Sequence, residues 1–126
     1  IMSVIRKLEG KGEMDYDYLH DILFFKAKNR EYSRSIEFNN IVIDVDKDDF
    51  IVGIQIFEAA KFLRLSKMAL RNVPKWQFQA NIKDNLVEIR LVFQVMYRNK
   101  SREMNPIILT ELEDDLPNSK LVATVA

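Results

Sequence analysis

From Trp76 to Arg98 the chain alternates apolar and polar residues with the period of a β-strand. In KWQFQANIK, Trp76, Phe78, Ala80 and Ile82 alternate with Gln77, Gln79 and Asn81, which gives one greasy face and one wet face. Asp84-Asn85 is the turn. Residues 86–98 (LVEIRLVFQVMYR) then set Val87, Ile89, Leu91, Phe93, Val95 and Tyr97 on one face. The other face is mixed: Glu88, Arg90, Gln94 and Arg98 are polar, Val92 and Met96 are not. At about 3.3 Å per residue this strand reaches about 43 Å, whereas a compact domain of this length is about 36 Å across. The strand must bend, bulge, or run out to meet something else.

The first half carries the same signature in shorter pieces. Residues 21–27 (DILFFKA) make an apolar run, and 33–38 place Ile36 and Phe38 on one side. Asn39-Asn40 marks a two-residue turn, because Asn tolerates left-handed backbone. A β-branched strand at 41–46, a turn at Lys47 to Asp49 and a strand at 50–57 complete an antiparallel meander. In 58–73 the period changes: Ala59, Phe62, Leu63, Ala69, Leu70 and Val73 gather opposite Lys61, Arg64, Lys67 and Arg71, the pattern of an amphipathic helix. Ser66 reads equally as the N-cap of a second short helix, and Pro74 ends the segment. Pro106 and Pro117 bracket an edge strand (IILTEL), and LVATV supplies a last one. Residues up to Glu13 read as a loose lead-in containing two glycines.

These elements predict one α+β domain over 1–126. Residues 14–73 form a β-meander plus helix and 75–126 add further antiparallel strands. The expected architecture is a twisted antiparallel sheet of six or more strands with one or two amphipathic helices on one face. Hydrophobic content of 48% and charged content of 30% suit a folded soluble chain. No apolar run approaches the roughly 20 residues that span a bilayer, and no signal-like segment is present. With no cysteine, disulfides and thiolate chemistry are excluded. A cytoplasmic setting without membrane contact is expected.

No residue pattern here defines a reaction. Asp44, Asp46 and Asp48 match the first oxygen-ligand positions of a calcium loop, but the glycine position holds Asp49 and the bidentate glutamate position holds Gln55. A polar turn is the simpler reading of those aspartates. Asp15, Asp17 and Asp21, with Glu37, form a second acidic group. His20 is the sole histidine, and Ser33 or Ser35 as a nucleophile lacks the glycine elbow it needs. Three glycines in all leave no phosphate-cradling loop.

Net charge is zero, which argues against bulk nucleic-acid binding. The charges are nonetheless segregated: 61–83 is basic without an acidic residue, and Glu111 to Asp115 is acidic. Lys61, Arg64, Lys67 and Arg71, with Lys75 and Trp76 just beyond, could meet a phosphate backbone or a protein partner.

Several stretches resemble a known family. Tyr16-Asp17, Asp21-x-Leu23-Phe24-Phe25, Ser33 and Ser35, Ile43-Asp44-Val45-Asp46, and Val52-Gly53-Ile54-Gln55-Ile56 followed by Ala59-Ala60-Lys61 are similar to the small prokaryotic family called domain of unknown function 2283. The match covers about 16–61. The chain departs from the family pattern at Asp49, Gln55 and Ala60, where glycine, glutamate and serine are common. The resemblance implies a meander followed by a helix and brings no settled activity or cofactor. Some members stand beside toxin genes, which implies a regulatory, partner-binding role.

The function these features predict is a non-enzymatic interaction module that self-associates as a homodimer, through the overlong strand or the edge at 107–112. Two other readings stay open. One is a binder of nucleic acid or a toxin partner through the basic face. The other is a divalent-cation-dependent enzyme at the aspartates. Gly53, inside an apolar strand, marks a bulge or a close backbone approach, expected where the helix crosses the sheet.

Overall fold

A computed structural model describes residues 5–113 and 115–125, the Tyr97 side chain excepted. The expected place of Tyr97 on the inner face therefore lies outside the described atoms. Ten strands form one mixed sheet in the order β3-β4-β5-β2-β1-β10-β6-β7-β8, with β9 also paired to β7. The strands are β1 (Arg6–Asp17), β2 (Ile22–Ala27), β3 (Tyr32–Phe38), β4 (Ile41–Asp46), β5 (Ile51–Phe57), β6 (Trp76–Lys83), β7 (Leu86–Tyr97), β8 (Lys100–Met104), β9 (Ile107–Glu111) and β10 (Ser119–Val125).

The expected hairpin forms as its alternation dictates. β6 and β7 pair from Trp76↔Phe93 to Lys83↔Leu86, and the turn residues Asp84 and Asn85 both have left-handed φ. Their apolar faces are buried from Trp76 to Ile82 and from Val87 to Val95. The length of β7 is accommodated by its other neighbours, because β8 and β9 follow it in a single register. Tyr97↔Lys100 through Phe93↔Met104 belong to β8, and Arg90↔Ile107 through Leu86↔Glu111 to β9. Proline lacks the N–H for a full ladder rung, and Pro106 divides this partner into two. Even so, the Leu91 N–H reaches the Pro106 carbonyl at 3.1 Å.

The presumed lead-in is a twelve-residue strand, β1, and it joins the two halves of the molecule. Its first half runs parallel to β10, from Arg6↔Ser119 to Lys11↔Thr124. Its second half runs antiparallel to β2, from Gly12↔Ala27 to Asp17↔Ile22. A sheet turns such a corner where a strand passes from one layer to the other. Gly12 sits at the handover: a Cβ there would lie 3.2 Å from Ala123 Cβ and 3.3 Å from Val125 Cγ2. The halves then face each other, with Phe25 of β2 set 5.1 Å edge-on from Trp76 and stacked 5.9 Å from Phe78 of β6. One apolar core runs through both layers.

Two expectations are corrected. The sheet is mixed rather than a purely antiparallel meander, because the β1–β10 pair joins distant segments that carry no mutual local signal. The molecule is sheet-dominant rather than evenly α+β: the segment 58–73 yields only α1 (Ala59–Leu63) and α2 (Lys67–Arg71). Arg64 turns left-handed at φ 57° and stops α1. Ser66 then caps α2, its side chain accepting from the Ala69 N–H at 3.1 Å. The Ser66 alternative is what the chain adopts. Neither helix is long and apolar enough to cross a membrane.

Candidate functional site

The aspartates of 44–49 are held by arginines and backbone N–H groups. Asp44 accepts from the Ser35 hydroxyl at 2.8 Å on the neighbouring strand. Asp46 is 3% exposed. Its Oδ2 lies 2.7 Å from Arg30, and its Oδ1 accepts from the Asp48 and Phe50 N–H groups, each at 2.9 Å. Asp48 takes the same guanidinium at 3.3 Å. Arg6 donates to the Asp48 and Asp49 carbonyls and lies 4.3 Å over the Phe50 ring. Asp44, Asp46 and Asp48 are thus shared among Ser35, Arg30 and the loop's own backbone. Among the described residues no three His, Cys, Asp or Glu side chains gather in a metal-holding group.

The second acidic group holds the start of α1. The Asp21 carboxylate accepts from the Ala60 N–H at 3.0 and 3.2 Å, and its carbonyl accepts from the Ala59 N–H at 3.0 Å. The residue in the N-cap position, Glu58, makes no side-chain cap. Asp21, nearly forty residues earlier, caps the helix in its place. Tyr16 donates to the same carboxylate at 2.6 Å. Burial, then the bond to Asp21 and its negative charge, push the Tyr16 hydroxyl far above the ordinary tyrosine value. Asp17 accepts from both the backbone and the ring of His20, and those bonds hold its carboxyl below the usual range. His20 is an exposed turn residue and Asp15 is exposed on β1. Glu37 lies on the free edge of β3.

The basic residues are divided between two short helices and the turn that joins them. Lys61 lies 4.0 Å from Glu58, and Arg64 is the left-handed cap of α1. Lys67 and Arg71 lie 5.7 and 5.0 Å from the centre of the Tyr18 ring. The aromatic partner of the basic patch is therefore Tyr18, from a turn some fifty residues upstream, and not Trp76. Trp76 is a core residue packed 4.1 Å from Phe93. No local pattern could have linked Tyr18 to α2.

The mixed outer face of β7 acquires a neighbour that the sequence did not reveal. Residues directly opposite in an antiparallel pair share a face, so Leu109 and Ile107 of β9 stand beside Glu88 and Arg90. Leu86, Met96, Ile107 and Leu109 all project from this face and are exposed. Between them Arg90 lies 3.5 Å from Glu88, and its Nε makes no hydrogen bond among the described residues.

The arrangement is that of a β-rich protein in which Asp21, Asp44 and Asp46 are engaged by hydrogen bonds and an ion pair within the fold. The family model described as Protein of unknown function (DUF2283) matches residues 13–59, the span from mid-β1 to the start of α1. A protein of Methanosarcina mazei is 31% identical over 68% of this chain and 70% of its own length. Its provisional name is hypoxanthine phosphoribosyltransferase. An uncharacterised protein of Methanocaldococcus jannaschii is 28% identical over 71% of this chain and 78% of its own. No solved structure gives a significant match. The chain belongs to the DUF2283 family.

Proposed function

We propose that this protein is a non-enzymatic interaction module that self-associates through the outer face of the β7–β9 hairpin. One observation carries the reading: Leu86, Met96, Ile107 and Leu109 are 45, 67, 47 and 61% exposed on a single sheet face. Leu86, Ile107 and Leu109 gather there around Glu88 and Arg90, with Met96 farther along the same face beside β8, and apolar side chains gathered on one rigid face favour a protein partner. The Glu88–Arg90 pair inside the patch suits a two-fold contact, in which each Arg90 meets the other copy's Glu88.

Sedimentation at tens of micromolar tests it: the wild type should run as a dimer and Leu109→Glu as a folded monomer. A monomeric wild type defeats the reading.

The purine-transferase name of the archaeal relative finds no support in the residues here. All three glycines lie in strands, Gly10 and Gly12 in β1 and Gly53 in β5. Neither helix starts from a glycine loop that would cradle phosphate.

A second reading rests on Tyr18, an exposed ring flanked by Lys67 and Arg71. Stacking platforms for single-stranded nucleic acid are built this way. A low-salt mobility shift lost in Tyr18→Ala supports it; no shift at low salt ends it.

A further inference from the structure

We propose that the opening between β3 and β9 is a strand-addition site for an extended basic segment of a partner protein. This slot opens at the strand edges and adjoins the outer hairpin face along β9, where Leu86 stands opposite Glu111; it does not depend on self-association there.

The sheet is open, and its two ends face one another. Among the described residues β3 pairs only with β4, and β9 only with β7. Between these free edges lies a groove of about 310 Å³, with Ile36 to Phe38 on one bank and Thr110 to Glu113 on the other.

The backbone on both banks is available. The Leu91 N–H bonds to the Pro106 carbonyl and the Leu112 N–H to the Asn85 carbonyl. Bonding direction alternates along a strand, so Ile107, Leu109 and Glu111 aim their N–H and C=O groups away from β7. On the other bank the tight turn at Asn39–Asn40 makes Phe38↔Ile41 the bonded pair. Ser35 and Glu37 therefore present their backbone groups outward. Unpaired rows of this kind are templates for an added strand, and here two such rows border one slot.

The side chains specify what fits. Ile36 and Phe38 are half-buried against the core, and Leu112 is buried, so the inner wall is apolar. Glu37 and Glu111 point outward on either side, with Glu113 beyond. None of these three carboxylates makes an ion pair among the described residues. A strand laid in the slot turns alternate side chains to opposite faces. The complementary segment alternates apolar residues facing inward with Lys or Arg facing outward. Carboxylates on both banks select a cationic peptide and repel nucleic acid.

The test uses a short synthetic peptide alternating lysine and valine, added to the whole chain. The expected result is saturable binding with slowed amide exchange at Ser35, Glu37, Leu109 and Glu111. A glutamate–valine peptide, and a lysine–valine peptide N-methylated on alternate amides, should not bind. Glu37→Lys combined with Glu111→Lys, both exposed positions, should keep the wild-type circular dichroism and weaken binding at least roughly tenfold.

Absence of binding by the lysine–valine peptide overturns the proposal. Equal binding of the N-methylated peptide also overturns it, since surface adsorption then explains the affinity. If Ser35 and Glu37, which lie on β3 away from the hairpin face, are already protected in a concentration-dependent way without peptide, a second copy occupies the slot and the proposed partner is wrong.

Discussion

The Tyr16 hydroxyl donates to Asp21 Oδ1 at 2.6 Å, and that same carboxylate receives the Ala60 N–H at 3.0 Å. One side chain in a left-handed turn, with φ 56°, thus ties the end of β1 to the start of α1. Asp21→Ala removes both bonds and orphans a partly buried hydroxyl. The expected loss is about 2 kcal/mol in urea unfolding. Tyr16→Phe, which spares the cap, should cost about 1 kcal/mol.

The same contact predicts behaviour in alkali. Tyr16 has a folded-state pKa above its ordinary value of 10.0. The stability it contributes is fully present below that value and is lost as pH rises through the higher folded one. Phenolate absorbance should show a tyrosine ionising above the ordinary value, and Tyr16→Phe should abolish that phase. Asp21→Asn should bring the Tyr16 titration down part of the way, because burial, the largest cause, remains.

Gly53 is confined by a neighbouring strand. A Cβ there would lie 2.7 Å from the Phe25 carbonyl of β2 and 3.2 Å from Asp44 Oδ2. The close approach is to this backbone and not to the helix, as the sequence had suggested. Gly53→Ala should lower stability by about 2 kcal/mol. Adding Asp44→Ala should recover little of that, since the carbonyl is the nearer obstacle.

Arg30 and Asp46 form the most buried ion pair described. Arg30→Met leaves a carboxylate that is 3% exposed without its cation. The expected cost is about 3 kcal/mol. Asp46→Asn, which keeps an acceptor for the Asp48 and Phe50 N–H groups, should cost less than Arg30→Met. Chemical denaturation of the two variants checks the order.

What the sequence disclosed depended on distance along the chain. The β6–β7 hairpin was legible because alternation and an Asp-Asn turn are local properties. The β3–β4–β5 meander was legible for the same reason. β1 was missed: its Glu9-Gly10-Lys11-Gly12 stretch is mostly exposed, so alternation is weak where pairing with β10 holds it. β8, with every residue except Met104 exposed, gave no apolar signal at all. The aspartate turn was foreseen, yet Arg6 of β1 and Arg30 of the β2–β3 turn, which tie it down, come from elsewhere in the chain. Likewise Leu109 joins Leu86 only once β9 has found its register on β7.

The parallel seam between β1 and β10 bears on how the molecule comes off the ribosome. β10 lies mid-sheet between β1 and β6, yet it is translated after every other strand. Until Val125 emerges, β1 has no partner along its first half, and the two layers are not joined through that seam. Such a sheet must wait, with sticky edges uncovered, for the last of its strands to be made. Nascent copies on crowded polysomes should therefore depend on chaperones until that strand is in place.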